Sequence, residues 1–198
     1  MRTATHGQAL RTIAAVLRDS AQVHRRMTVG RAHLRAIAEA AEAMTAALQT
    51  GRKIIWFGNG GSATQSQHMA AEFVGRFCKE RRSLPSISLT ENMASVTAIG
   101  NDYHFDLIFV RQLEGLSQPG DVAVGLSTSG KSANVLAALA RGKELGLTTI
   151  GLTRASAAGM RAVCDLCIGV PSPVTARIHE AHLTIGHILC ALVEDALI

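Results

Sequence analysis

His68 and Glu72 lie four residues apart in a stretch with helical spacing. That interval puts both side chains on one helix face, about one turn apart. An imidazole and a carboxylate so placed can share a metal ion or act as an acid/base couple. An ordinary polar helix face has the same spacing. A second set lies far along the chain. Arg177-Ile178-His179-Glu180-Ala181-His182-Leu183-Thr184-Ile185-Gly186-His187 holds three histidines and a glutamate ahead of an apolar helical stretch. His187 sits among Ile185, Ile188 and Leu189, which predicts an inward-facing ring. A mixed set of His and carboxylate suits zinc and other divalent metals. The spacing also imposes a condition. Eight residues of straight helix rise about 12 Å, too far for His179 and His187 to hold one ion. Either His179 precedes the helix, or the two serve different subunits' sites, or one is not a ligand.

Two further segments suit an anion. Gly58-Asn59-Gly60-Gly61-Ser62 directly follows the apolar Ile54-Ile55-Trp56-Phe57. Glycines let a backbone turn sharply and approach a ligand with no Cβ in the way. Ser62 is expected to cap the next helix, whose free N–H groups favour an anion. A capped turn needs fewer glycines and no Asn, so ligand binding is the expectation. The second segment, Ser127-Thr128-Ser129-Gly130-Lys131-Ser132, follows the apolar run 122–126. Gly125 to Ser132 also reads as the P-loop pattern GxxxxGK[ST] in full. A nucleotide site is therefore an open alternative. Three features weigh against it. The hydroxyls suit direct bonding to one phosphate group. The loop follows about the third strand rather than the first. No apparent strand ends in a magnesium-binding Asp, because Ile188–Asp195 lies in a helical pattern. A phosphomonoester held by these hydroxyls and a helix N-terminus is the expected ligand.

The elements that must position these groups show in the apolar pattern. Residues 8–24 and 31–49 read as helices, the second with Leu34, Ile37, Ala38, Ala41, Met44 and Leu48 at helical spacing. Strand-length apolar runs follow at 53–57, 87–89, 122–126, 148–152 and 166–170. Helical stretches intervene at 62–76, 105–116, 132–145 and 156–163, and a last helix runs over about 180–196. Runs without polar alternation mean strands buried on both faces. The expected fold is α/β: a doubly wound sandwich with a mainly parallel sheet of about five strands, plus N-terminal helices. One domain spans 1–198, with a helical pair over 1–50 and the α/β core over 51–198. Ligands of such sheets sit outside the carboxyl ends of the strands, where both loops fall.

The chain has 198 residues, of which 47% are hydrophobic, enough for a core without disulfides or structural metal. Aromatic residues are only 4%, which leaves no stacking platform for single-stranded nucleic acid. The net charge of +5 comes from basic residues spread along the chain. The densest run, Lys79-Glu80-Arg81-Arg82, is expected to be a solvated face. No nucleic-acid partner is expected. Cys164 and Cys167 form a CxxC with no partner CxxC, read as a structural or accidental thiol pair. The first twenty residues lack the apolar core of a secretory signal, and no run is long enough to cross a bilayer. The expected location is cytoplasmic, with no membrane partner.

In order along nearly the whole chain, five segments resemble the phosphoheptose isomerases of the sugar isomerase (SIS) family. They are Gly58-Asn59-Gly60-Gly61-Ser62, His68 with Glu72, Ala98-Ile99-Gly100-Asn101-Asp102-Tyr103, Ser127-Thr128-Ser129-Gly130-Lys131-Ser132, and Arg177-Ile178-His179-Glu180 with His187. The resemblance implies a homotetramer with active sites at subunit interfaces and one zinc ion per subunit. It implies conversion of the phosphorylated sugar D-sedoheptulose 7-phosphate to D-glycero-D-manno-heptose 7-phosphate. It implies that Ser127, Thr128, Ser129 and Ser132 hold the phosphate. Asn59, Gly60, Gly61, Ser62, Asn101 and Asp102 would contact substrate, with Glu72 and His179 beside them. His68, Glu72, His179 and His187 would hold the zinc. Aldose–ketose isomerisation through an enediol needs a base at carbon and a partner for the second proton transfer. Glu72 and His187 are the candidates. The family usually has Gln where this chain has His179, and imidazole cannot offer both a carbonyl and an amide N–H. A DiaA-like relative keeps the sugar-binding scaffold but regulates a replication initiator protein. Such a scaffold has no need for His68, Glu72 and His187, and all three are present here.

Overall fold

The computed structural model describes residues 5–198. Its five apolar runs become β1 (Ile54–Gly58), β2 (Ser86–Ser88), β3 (Val122–Leu126), β4 (Thr148–Arg154) and β5 (Leu166–Val170). They form one sheet in the order β2-β1-β3-β4-β5, every neighbouring pair parallel. Strand side chains alternate between faces, so Ile54 and Trp56 enter one core while Ile55 and Phe57 enter the other. All four are fully buried. Helices cover both faces, which is why these strands lack polar alternation.

One face carries α1 (His6–Val29), α2 (Arg31–Gln49), α3 (Gly61–Val74) and α8 (Thr175–Leu197). The other carries a 3₁₀ turn (Phe105–Leu107), α5 (Val110–Leu116), α6 (Ala133–Glu144) and α7 (Ala158–Val163). The strand order reverses between β1 and β3, the switch point where doubly wound sheets bind ligands. Gly58 stands opposite Leu126 there, so the glycine loop and the serine loop leave the sheet side by side.

The structure adds one helix to those expected, α4 (Met93–Asp102). None of its residues is fully buried, and only Val96 and Ile99 pack against the core, a stripe too short to betray it. The span 105–116 divides into the 3₁₀ turn and α5. The last helix starts at Thr175 rather than near 180, so His179 lies inside it. That removes the possibility that His179 precedes the helix.

In the basic run Glu80 and Arg82 are exposed, as expected of a solvated face, but Arg81 is not. The Arg81 and Glu194 side chains are 1% and 2% exposed, and Arg81 Nε donates to Glu194 Oε1 at 2.8 Å. Glu194 also accepts the backbone N–H groups of Phe77, Cys78 and Lys79, at 2.8, 2.8 and 2.9 Å. Lys79 Nζ meets Asp195 at 2.9 Å. A carboxylate on α8 therefore gathers the segment after α3 and holds it against the helix. The CxxC thiols are free, with Cys164 buried and its Sγ donating to the Met160 carbonyl at 3.0 Å. Among the described residues no helix is long and apolar enough to cross a membrane.

Candidate active site

The first loop is shaped by close approach. A Cβ on Gly58 would stand 2.8 Å from the Leu126 carbonyl oxygen of the neighbouring strand. Gly60 has φ +56° and is the residue before α3. Because α3 starts at Gly61, Ser62 lies within its first turn and does not cap it, contrary to expectation. Ser62 Oγ instead faces His179 Nε2 at 3.4 Å. The His179 ring covers Gly61, where a Cβ would come within 2.7 Å of it. Gln65 Nε2 donates to the His179 carbonyl at 2.7 Å. A cavity of about 230 Å³ opens beside Gly58, Asn59 and Gly60, walled by Thr90 and Phe105.

Asn59 ties this loop to the second one. Its amide and that of Asn134, in the first turn of α6, donate to each other at 2.8 Å in both directions. Asn101 and Asp102 end α4, both exposed, and bond each other at 2.8 Å.

In the second loop the Ser127 and Ser132 hydroxyls stand 2.9 Å apart, and Ser127 and Ser129 Oγ 3.5 Å. Ser127 Oγ accepts the Gly130 N–H at 3.1 Å, and Ser129 Oγ the Lys131 N–H at 3.2 Å. Thr128 is half-buried beside them. Ser132 is the residue before α6, yet its hydroxyl makes no capping bond. The first N–H groups of α6 and three serine hydroxyls are thus grouped at one place, as a phosphate requires. The P-loop match dissolves on the same geometry. Gly125 lies inside β3, and its missing Cβ is fenced by Phe57, Val135 and Leu139 at 3.0–3.1 Å. That glycine lets α6 pack on the sheet and is no part of the loop.

Gly130 combines φ +64° with a missing Cβ that would overlap Ala157. Gly130→Ala is expected to cost about 1–3 kcal/mol of stability, since both the backbone and the packing object. By distorting the serine loop it should also raise KM for a phosphorylated substrate more than it lowers kcat. Thermal unfolding and steady-state kinetics on the variant check both parts.

The His/Glu constellation assembles in part. His68 Nε2 is 3.1 Å from His187 Nε2 and 3.2 Å from Glu72 Oε1. Among the described residues these three form the only group of three or more His, Cys, Asp or Glu side chains with ligand atoms within 4.8 Å of one another. Phe77 stacks on His187, ring centroids 5.3 Å apart and planes inclined by 26°. Tetrahedral zinc with bonds of about 2.0–2.1 Å needs ligand atoms roughly 3.3 Å apart. The two separations at His68 fit that edge length, and two imidazoles with a carboxylate are a zinc-type donor set. The His68 side chain is 46% exposed, leaving the group open on one side for a further ligand.

His179 is outside this group, two helical turns earlier and over the glycine loop. The structure brings three of the four expected ligands together and sets the fourth against Ser62. His182, the remaining histidine of the run, is buried on β4 with Nε2 3.4 Å from the Thr153 carbonyl. Burial pushes its pKa down to about 4, against the pull of that carbonyl, so the ring is neutral. Arg76 is exposed and pairs with Glu80 at 3.6 Å. Phe77, Asn134 and the Arg81–Glu194 pair are contributors that sequence reasoning missed.

The comparisons agree with this architecture. The family model for the SIS domain matches residues 17–154. A phosphoheptose isomerase of Rhodospirillum rubrum is 56% identical over 162 residues, 82% of this chain and 86% of the relative. One from Aquifex aeolicus is 45% identical over 186 residues, 94% of this chain and 96% of the relative. The structure of phosphoheptose isomerase GmhA from Neisseria gonorrhoeae superposes with a TM-score of 0.88 at 36% identity, covering 94% of this chain and 99% of that one. A phosphoheptose isomerase from Francisella tularensis superposes at 0.90 and 34%, covering 94% and 98%. With a switch-point crevice, a serine loop and a His/Glu/His group in one fold, this chain belongs to the SIS-domain phosphoheptose isomerase family.

Proposed function

We propose that this protein is a cytoplasmic phosphoheptose isomerase that interconverts D-sedoheptulose 7-phosphate and D-glycero-D-manno-heptose 7-phosphate through an enediol. The observation that carries the mechanism is the meeting of His68, Glu72 and His187 at one place. Ser127, Thr128, Ser129 and Ser132 take the phosphate. Their grip on a group remote from the reaction orients the reacting carbons. Asn59, Gly60, Gly61, Ser62, Asn101 and Asp102 are assigned to the sugar, with His179 beside Ser62. Glu72 takes the proton from carbon. Its Oε1 is turned to His68, which leaves Oε2 for the transfer. His187, stacked on Phe77, serves the second proton transfer through Nδ1, its Nε2 being turned to His68.

Zinc is assigned to His68, Glu72 and His187; His179, which lies outside that group within one chain, would complete the set the family pattern implies only from another subunit. When bound, it polarises the carbonyl and hydroxyl oxygens of the sugar. Stripping the protein with a chelator is expected to lower turnover of sedoheptulose 7-phosphate at least about 100-fold, and added zinc to restore it. Full turnover after metal analysis shows the ion gone would refute the zinc assignment. A zinc-loaded protein inert on the sugar would refute the isomerase reading.

The same proposal includes a homotetramer with sites at its interfaces. Leu10, Ile13 and Leu17 fall on one face of α1 and are 54%, 55% and 65% exposed. An apolar stripe of this kind is expected to be covered by other subunits. Light scattering should return about four times the 20.9 kDa chain mass.

A further inference from the structure

Two cations beside the serine loop have no part in the chemistry above. Lys131 in that loop and Arg154 at the end of β4 line a groove of about 370 Å³ between the loop and α7. Ser129, Ser156 and Leu136 complete the wall, and no carboxylate lines it. Three arginines that pack against the fold are answered by acids: Arg81 by Glu194, Arg141 by Glu114 and Glu144, Arg177 by Glu180. Arg154 and Lys131 have no ion pair among the described residues, and Arg154 Nε, like Arg177 Nε, is buried with no hydrogen-bond partner there. A guanidinium and an ammonium with no acid partner on one groove are free to take an anion.

The groove lies outside the carboxyl ends of β3 and β4, one strand along from the β1/β3 crevice. Ser127 and Ser132, whose hydroxyls pair with each other, do not line it. It shares Ser129, Gly130 and Lys131 with the serine loop. Two cations and two serine hydroxyls match the charge and the acceptor oxygens of a phosphate group. The volume exceeds that of a bare ion, and Leu136 with Ala157 offers an apolar wall for an organic part.

We propose that this groove is a second anion site, which takes the phosphate group of a phosphomonoester other than the reacting sugar. Because its wall includes the Gly130 turn, the occupant sits against the loop that holds the substrate phosphate.

Calorimetric titration with inorganic phosphate tests this. The wild-type protein should bind two phosphates per chain. Ser127→Ala/Ser132→Ala should bind one, and Lys131→Gln/Arg154→Gln should also bind one. The latter variant should keep KM for sedoheptulose 7-phosphate within about threefold. Lys131→Glu, a change at an exposed position, should weaken the second phosphate at least about tenfold and serves if the double variant does not fold. A single phosphate in the wild type would overturn the proposal, as would unchanged binding in Lys131→Gln/Arg154→Gln or in Lys131→Glu. So would a tenfold rise in KM on removing the cations, which would assign them to the substrate's own phosphate.

Discussion

Glu72→Gln is expected to lower kcat by about 10²–10⁴-fold while leaving the fold and phosphate affinity in place. The amide matches the carboxylate in shape but cannot accept a proton from carbon. Nor is the carboxylate an anchor of the fold. What Glu72 gives the scaffold is its backbone carbonyl, which accepts Arg81 Nη2 at 2.8 Å and survives the substitution. Three readouts separate the causes. Thermal unfolding should be close to wild type, metal content should report whether the His68–His187 pair still holds zinc, and exchange of the substrate C–H with solvent deuterium should fall with kcat. Loss of exchange with zinc retained assigns the base. Turnover near the wild-type value would sink that role.

The largest effect on stability is expected at Glu194. Glu194→Ala leaves the Arg81 charge buried and unpaired and strips three backbone N–H groups of their acceptor. Breaking a buried pair from one side costs about 3–5 kcal/mol. For a chain of this size that lowers Tm by about 6–20 °C. The same group dictates an acid limb. Burial alone would raise the Glu194 pKa, but the N–H donors of Phe77, Cys78 and Lys79 together with Arg81 outweigh it and hold the carboxyl at about 2, against 4.5 when unfolded. The folded value is the lower one, so this contribution is complete above pH 4.5 and disappears as pH falls toward 2. It amounts to about 3 kcal/mol. Urea unfolding from pH 6 to pH 2.5 should show the loss in the wild type and a flatter acid limb in the variant. Because the segment that Glu194 gathers includes Phe77, the variant should also free the His187 ring and reduce kcat.

Much of this was legible in the residues themselves. Strands buried on both faces write themselves as unbroken apolar runs, and five such runs became five strands. Glycines and hydroxyls cluster where a backbone must approach an anion, so both loops were visible. The i, i+4 interval of His68 and Glu72 survives folding because a helix preserves it. Long-range pairing leaves no such trace. Nothing near Arg81 announces a carboxylate 113 positions away, and a run of charges looks the same whether water or Glu194 answers it. The Asn59–Asn134 pair spans 75 positions and is equally silent. Helix α4 escaped for the opposite reason: of its ten residues only Val96 and Ile99 pack against the core, and apolar periodicity is the signal a helix is found by. Ser62 shows the limit of local chemistry. A serine after glycines suits a cap, but with Gly60 at φ +56° as the capping residue the helix starts two residues too early for that.

The contact between His68 and His187 has a further consequence. The two rings come from helices 119 positions apart in the chain. An ion gripping both would act as a reversible crosslink, closing most of the sheet into a single loop. Cross-linking a loop that long restricts the unfolded chain strongly, and unlike a disulfide its strength follows the concentration of free ion. Resistance to unfolding in this fold would then be a reading of metal supply as well as of packing.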